Sequence, residues 1–545
     1  MSAVSSREAP RLRYLACVPW IGPILGGALR GQQSDSVSVA AVADPLLGPP
    51  FAALLVPVQR TGERLVRAGD GWVAEVAANA SCPFRLDVPS VFWEGAQAGL
   101  LMLLLYDRSA GWSDPEERAP VRVFAETLAE QLECVHSAGA LAREQFIAVP
   151  GLPPPMRDEV ERRLRDMLPG PASALSFGVV EHRSSEDSSA LVFAVGSCQY
   201  PAGFLDGAIA EGSYRRLAQR LDQGEARSSP QCVLLLGDQV YLDATAGLFD
   251  PSTLYDRYEL PYEKLFRIEP LRHVLRRIPA YTMLDDHEIE DNWEPGSGDP
   301  EALVQGRHWY ITYQRMADVV PPPPQRLWYP FEANGFPFFV CDTRTQRESR
   351  TARNVREAHI MRPEQQLAEL LGWLQDHARD PGPKFIASPA SFLPRHRRAT
   401  HGAAAGALRS DAWDGYPASF AAVVARIAQE GIRNVVFLSG DEHISFATTA
   451  IVRSGGAEVA RFHSIHSSGL YAPFAFANAT RDSLGQDECF DCGPYSLELR
   501  TDFAPPGDGF TLLRVFPEGE RWRLEYLFDR EREPGVREAW ATLLR

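Results

Sequence analysis

The sequence predicts an α/β protein with a separate N-terminal domain, and three observations carry that reading. From about Ser188 onward, apolar runs of strand length alternate with helical segments. Four of those runs end in short clusters of small, acidic and metal-ligating residues. Residues 1–185 read differently, as strands and one helix with no convergent polar site. At 545 residues the chain is too long for one compact domain. The expected division is therefore an α/β accessory domain of unknown role over 1–185 and the unit that carries the chemistry over 186–545.

In the first region, "LLVPVQR", "GWVAEVA" and "GLLMLLLYDR" read as strands, and "PVRVFAETLAEQLECVHSAGALAREQF" as a helix. "PGLPPPMRD" (Pro150 to Asp158) and "PGPAS" (Pro169 to Ser173) read as linker and turn. In the second region, "ALVFAVGSC" is a buried strand ending at a small-residue turn, followed by a helix from Tyr214 to Leu221. "CVLLLGD" and "RIPAYTMLDD" are the next strands, and "WYPFEANGFPFFVCDTR" is a hairpin turning at Asn334-Gly335. "VVPPPPQ" (Val319 to Gln325) is a stiff connector. A helix from Pro363 to His377 leads to the strand "KFIASP", and one from Pro417 to Glu430 leads to "NVVFLSGD". "GFTLLRVF" and "RWRLEYLF" form a hairpin expected at a sheet edge.

Composition narrows the function classes. The chain carries 55 basic and 71 acidic residues, 55 − 71 = −16, which argues against a broad nucleic-acid-binding surface or an anionic membrane as partner. Eight cysteines are too few for a disulfide framework and read as mostly reduced core thiols. Cys489-Phe-Asp-Cys492 is a lone CxxC with no second pair at zinc spacing, and reads as a loop with two ordinary thiols. No apolar run reaches the roughly 18 residues of a membrane span. Tyr14 to Leu29 is interrupted by Pro19, Pro23 and several glycines and lacks a twin arginine, so a cytoplasmic protein is expected.

The four clusters are Gly196-Ser197-Cys198, Gly237-Asp238, Asp285-Asp286-His287 and Gly440-Asp441-Glu442-His443, with Tyr241 three residues past Asp238. In open α/β sheets, ligands collect beyond the carboxyl ends of the strands. A thiol, a phenol, two imidazoles and several carboxylates there suit a metal site better than a nucleophilic triad. Each piece alone reads as a turn or a core residue; four in succession do not. The spacing excludes a zinc-protease HExxH, because Asp291 stands at the second histidine position, and there is no P-loop and no GxSxG elbow.

Taken together, "VGSCQYP", "LLLGDQVYLD", "IPAYTMLDDHEIEDNW", "FFVCDTR", "RPEQQLAELLGWL", "SDAWDGYPASF" and "VVFLSGDEHIS" resemble the alkaline phosphatase D branch of the metallophosphoesterase superfamily, in the family's order over residues 190 to about 475. The resemblance implies a layered β-sheet sandwich flanked by helices. It also implies hydrolysis of phosphate esters, as phosphodiesterase and phosphomonoesterase, by hydroxide generated at a multinuclear iron/calcium-type site. Fe(III) would be held by Cys198, Asp238, Tyr241 and His443, and Ca2+ by Asp238, Asp286 and Asp441, with Mg2+, Mn2+ or Zn2+ as alternatives. The residue types agree with this division: thiolate, imidazole and phenolate suit a transition metal, carboxylates a hard cation.

His287 resembles the family histidine that contacts phosphate or protonates the leaving oxygen. Arg344 stands where it would bind a phosphoryl oxygen, or form a structural ion pair with nearby acids. Asn292 reads as a metal or phosphate contact or as a turn cap, and Asp285, Glu288, Glu290 and Asp291 as supporting or surface acids. "LPRHRRATHG" reads as a basic loop, solvated or steering phosphorylated substrates, while His463 receives no role and Trp413 and Tyr416 read as packing residues. Secreted members usually carry a twin-arginine signal and an N-terminal β-sandwich, which residues 1–185 do not resemble. The competing expectation is a non-catalytic binding or regulatory protein on the same scaffold.

Overall fold

The computed structural model describes residues 190–544 except 204–205, 226, 245–252, 267, 276–277, 297, 316–325, 401–403, 474–479 and 532–537; of residues 1–189 it describes the backbone of strands between 12 and 181. Those N-terminal strands pair into antiparallel sheets of six and three strands. Phe51–Thr61, Trp72–Val76 and Ala98–Tyr106 match the three expected there. The expected helix over 120–146, both linkers and the connector at Val319 to Gln325 lie outside the described residues.

Two sheets form the remainder. The first begins with β1 (Leu191–Gln199), β2 (Cys232–Leu235) and β3 (Ala280–Thr282), parallel and in the order β3-β2-β1. The connections between them are helical, notably α1 (Gly212–Gln223), as parallel pairing requires. α2 (Pro300–Gln314) follows β3, its start capped by the Asp299 side chain accepting from Glu301 N at 2.9 Å.

The second sheet starts with a hairpin of β4 (Tyr329–Ala333) and β5 (Phe336–Val340). Asn334 and Gly335 take φ of 49° and 78°, the left-handed pair that a two-residue hairpin turn needs. β6 (Lys384–Ser388) and β7 (Val435–Ser439) extend it in parallel, with the intervening helices α3 (Ala368–Asp376) and α4 (Pro417–Gln429) on its outer face. β8 (Phe446–Ser454), β9 (Ala457–His466), β11 (Cys489–Cys492) and β12 (Tyr495–Phe503) complete it in the order β4-β5-β6-β7-β9-β8-β12-β11, while the short β10 (Gly469–Tyr471) crosses to pair with β1.

The hairpin β13 (Gly509–Glu518) and β14 (Arg521–Arg530) departs from expectation in its place. β13 pairs directly with β1 in the middle of the first sheet, and β15 (Ala541–Leu544) forms the edge outside β14. The near-continuous burial of β13 follows from that interior position.

The inner faces of the two sheets share one apolar core. Phe193 of β1 meets Phe338 of β5 edge-on at 5.4 Å and Phe385 of β6 at 5.1 Å. Leu370, Trp373 and Leu374 of α3 and Phe420, Val424 and Ile427 of α4 seal the outer face against Phe339, Ile386 and Phe437. Burying a side chain of this size is worth roughly 1.5–3 kcal/mol, so the sandwich rigidly fixes where β1, β2, β3 and β7 end. Among the described residues no helix is long and apolar enough to cross a membrane.

Candidate metal centre

All four clusters lie at carboxyl ends of strands: β1, β2 and β3 in the first sheet and β7 in the second. Two glycines let those ends approach. A Cβ at Gly440 would lie 2.4 Å from Ser197 Cβ, and one at Gly237 only 2.6 Å from Asp285 Cβ. The second contact joins neighbouring turns of one sheet, whereas the first brings the two sheets together.

The backbone at this junction is strained. Cys198, Asp238, Asp441, His443 and Asn292 have φ of 53°, 55°, 82°, 51° and 53°, a region costly to side chains with a Cβ. The other two non-glycine residues with positive φ among the described residues are Asn334 and Asn434, of the residue type that tolerates it best. Three of the four clusters are therefore held in backbone conformations that non-glycine residues seldom adopt.

The polar atoms converge. Asp238, Asp285, Asp286 and Asp441 each place a carboxylate oxygen within 4.8 Å of the others, and Asp238, Asp286 and His287 form an overlapping group. Cys198 Sγ lies 3.4 Å from Asp238 Oδ2, and the Tyr241 hydroxyl 3.5 Å from His443 Nε2. Asn292 joins through its main chain: its N–H donates to Asp286 Oδ2 at 2.6 Å, while its exposed side chain donates to Asp291 Oδ1.

Electrostatics divides the cluster. Burial, then the neighbouring carboxylates, pushes Asp238 and Asp441 well above the usual carboxylate range. The Cys198 thiol and Tyr241 phenol rise well above their ordinary values for the same reasons. Burial carries Asp285 up to about 7 against the pull of Arg344. Burial also opposes ionisation of Asp286, but Arg344 and His287 outweigh it and hold this carboxyl below its ordinary value. The buried Asp285 Oδ2 and Asp286 Oδ1 accept no hydrogen bond. Carboxylates, a thiol and a phenol so placed ionise together only against added positive charge, so the donor set fits metal ions.

Arg344 is 0 % exposed. Its Nε donates to Asp285 Oδ1 at 2.7 Å and its Nη1 to Asp411 Oδ2 at 3.0 Å, with Nη2 3.4 Å from Asp286 Oδ1. This is the ion-pair alternative of the sequence reading. The His287 ring stacks on Tyr241 at 4.0 Å, and its Nδ1 lies 2.8 Å from Asp243 Oδ1. Burial lowers its pKa, but Asp286 and Asp243 more than reverse this and carry it to about 9.

Of the acids read as supporting or surface residues, Glu288 proves supporting, and further supporting residues escaped the sequence. Glu288 is fully buried and accepts from the backbone N–H groups of Asp238, Gln239 and Asp285 at 2.9, 2.7 and 2.9 Å, clamping the turns after β2 and β3. His396, expected on a basic loop, is 2 % exposed; it bonds Asp414 Oδ2 at 3.0 Å through Nδ1 and Glu442 Oε1 at 2.5 Å through Nε2. Neighbouring Arg395 pairs with Glu488 and stacks on Phe490, so this part of the loop is structural.

Asp411 and Asp414 lie on one turn, which thus ties Arg344 on one side to Glu442, between Asp441 and His443, on the other. Asp243 was likewise missed. The signal for all of them is contact between distant segments, which spacing along the chain does not carry. Trp413 and Tyr416 are fully buried, as expected of packing residues. His463 is buried away from the cluster, its Nδ1 3.1 Å from Thr449 Oγ1. Cys489 and Cys492 form an edge strand instead of a loop; one thiol is exposed and the other buried.

Residues 193–487 match the family model described as PhoD-like phosphatase, more than half of the chain. The chain belongs to the PhoD-like phosphatase family. It is a phosphoric ester hydrolase, and the family chemistry is metal-dependent. The fold is similar to a solved structure of PhoD at a TM-score of 0.52 and 16 % identity, covering 99 % of this chain and 90 % of that one. Lower similarity extends to purple acid phosphatase PPD1 from yellow lupin (Lupinus luteus) seeds, with a TM-score of 0.45, 11 % identity and coverage of 95 % and 71 %. A dimetal phosphatase from Danio rerio gives 0.36 and 13 %, covering 65 % and 98 %. No curated protein sequence matches the chain.

Proposed function

We propose that the chain hydrolyses phosphodiesters and phosphomonoesters at a mixed centre, with Fe(III) held by Cys198, Asp238, Tyr241 and His443, and Ca2+ by Asp238, Asp286 and Asp441, Asn292 adjoining. The observation that carries this reading is the convergence of four strand ends, from both sheets, on one acid-rich point, three of them through residues in left-handed backbone. Bound metals supply Lewis acidity toward phosphoryl oxygens and a nucleophile from water at neutral pH. His287, kept protonated by Asp286 and Asp243, donates to the phosphoryl group or to the departing ester oxygen. Arg344 acts through Asp285, Asp286 and Asp411 instead of on a phosphoryl oxygen, since its Nε and Nη1 are already engaged. Glu288 and the His396 pair keep the donor-bearing turns in register.

In this reading residues 186–545 are the catalytic domain and 1–185 an accessory domain. The strand Gly178–Glu181 still pairs within the N-terminal sheet, and β1 opens the other, which supports that boundary. A cytoplasmic location accords with the five free cysteines among the described residues.

The test combines metal analysis with hydrolysis of p-nitrophenyl phosphate and bis(p-nitrophenyl) phosphate. Asp238→Asn should cost more than about a thousandfold in kcat/KM, about 4 kcal/mol of transition-state stabilisation, and should release metal. Cys198→Ala should lose iron while retaining calcium; unchanged iron content would remove Cys198 from the centre.

A further inference from the structure

A cavity of about 580 Å³ lies directly beside the centre, with Tyr241 as a shared wall. Tyr241 faces His443 and His287 on one side, and packs edge-on against Tyr200, also in the cavity wall, at 5.0 Å. Among the described residues the remaining surface is largely apolar, from Val240, Leu242, Leu260 and Ile268. Its volume is that of a pocket for an organic group and far exceeds what a phosphoryl group fills.

The charges of this wall are unevenly spent. Glu211 pairs with Arg215 at 3.4 Å, and Asp256 accepts from Thr253 Oγ1 at 2.7 Å. Arg257 and Lys264, both exposed, have no carboxylate partner among the described residues. A neutral hydroxyl does not cancel the charge of Asp256, so two such cations stand against one carboxylate, and an apolar chamber with that excess favours an occupant with an apolar body and an anionic end.

We propose that this cavity receives the ester substituent of the substrate, an alkyl or aromatic body ending in an acidic group. The inference rests on the hydrolase reading for the position of the phosphoryl group, and adds what that group is attached to. Small esters would then be poor ligands of the site, because they leave the apolar wall in water.

Calorimetric titration of the metal-loaded protein with methylphosphonate, hexylphosphonate and 5-carboxypentylphosphonate tests it. Hexylphosphonate should bind at least about tenfold tighter than methylphosphonate, a fraction of what full burial of five methylenes provides. The terminal carboxylate should add ~threefold at exposed cations. Leu260→Trp should abolish the alkyl preference, with Ile268→Trp as a second filling variant should the first fail to fold. The double variant Arg257→Gln/Lys264→Gln should abolish only the carboxylate increment. Equal affinities for all three phosphonates in the unaltered protein would overturn the proposal. Turnover of p-nitrophenyl phosphate on the same preparations separates the two readings: the expected order of affinities without turnover supports the cavity and counts against the hydrolytic centre.

Discussion

Two halves of the centre differ in how their charge is balanced. On one side Asp285, Asp286 and Asp411 surround the buried guanidinium of Arg344, and Asp286 and Asp411 are held below the ordinary carboxylate range despite burial. On the other, Cys198, Tyr241, Asp238 and Asp441 are all pushed up, burial being the largest cause in each case. The first half carries its own counter-charge. The second depends on charge from outside the polypeptide, and the need for metal is concentrated there.

Substitutions can break that contrast. Arg344→Met removes the internal counter-charge and should destabilise the fold by about 3–5 kcal/mol, the cost of orphaning buried carboxylates; denaturant titration reads it, and a loss below 1 kcal/mol would show the first half to be no better balanced than the second. Chelation acts on the other half. With metal at a hundred to a thousand times its dissociation constant, stripping it should cost about 2.7–4.1 kcal/mol of stability. Calorimetry should find this decrement largely gone in Asp238→Asn and intact in Arg344→Met; the reverse pattern would refute the division.

The smallest effect is expected at the bridge. His396→Gln leaves Asp414 and Glu442 without their shared partner, yet touches no expected metal ligand. Metal affinity should fall about 10–100-fold, as for other residues that orient ligands from behind, while KM for p-nitrophenyl phosphate at saturating metal stays within twofold. A change in KM with affinity intact would put His396 in contact with substrate.

Much of this was legible in the sequence because parallel strands buried on both faces leave near-continuous apolar runs, and the polar residues after each run mark its carboxyl end. By that logic Cys198, Asp238, Asp286 and Asp441 stand at or just beyond the ends of such runs. It does not reach β8, β9, β11 and β12, which are joined to one another by antiparallel pairing and are partly exposed: "AEVARFHSIH" begins with three exposed residues, so its start carries no continuous apolar run. It also misplaced the β13–β14 hairpin, since the partner of β13 is β1, some 300 residues earlier. Glu288 lay in plain view within the acidic run, but its partners at Asp238 and Gln239 are about 50 positions away.

The left-handed backbone at Cys198, Asp238, Asp441, His443 and Asn292 has a consequence for engineering. Glycine would relax each of these positions, which store about 1–2 kcal/mol apiece, so selection for heat resistance alone would push this protein toward an inert, metal-free variant. Thermostabilised descendants should therefore be sought only under simultaneous selection for turnover, with the gains taken from the sheets and not from the ends of their strands.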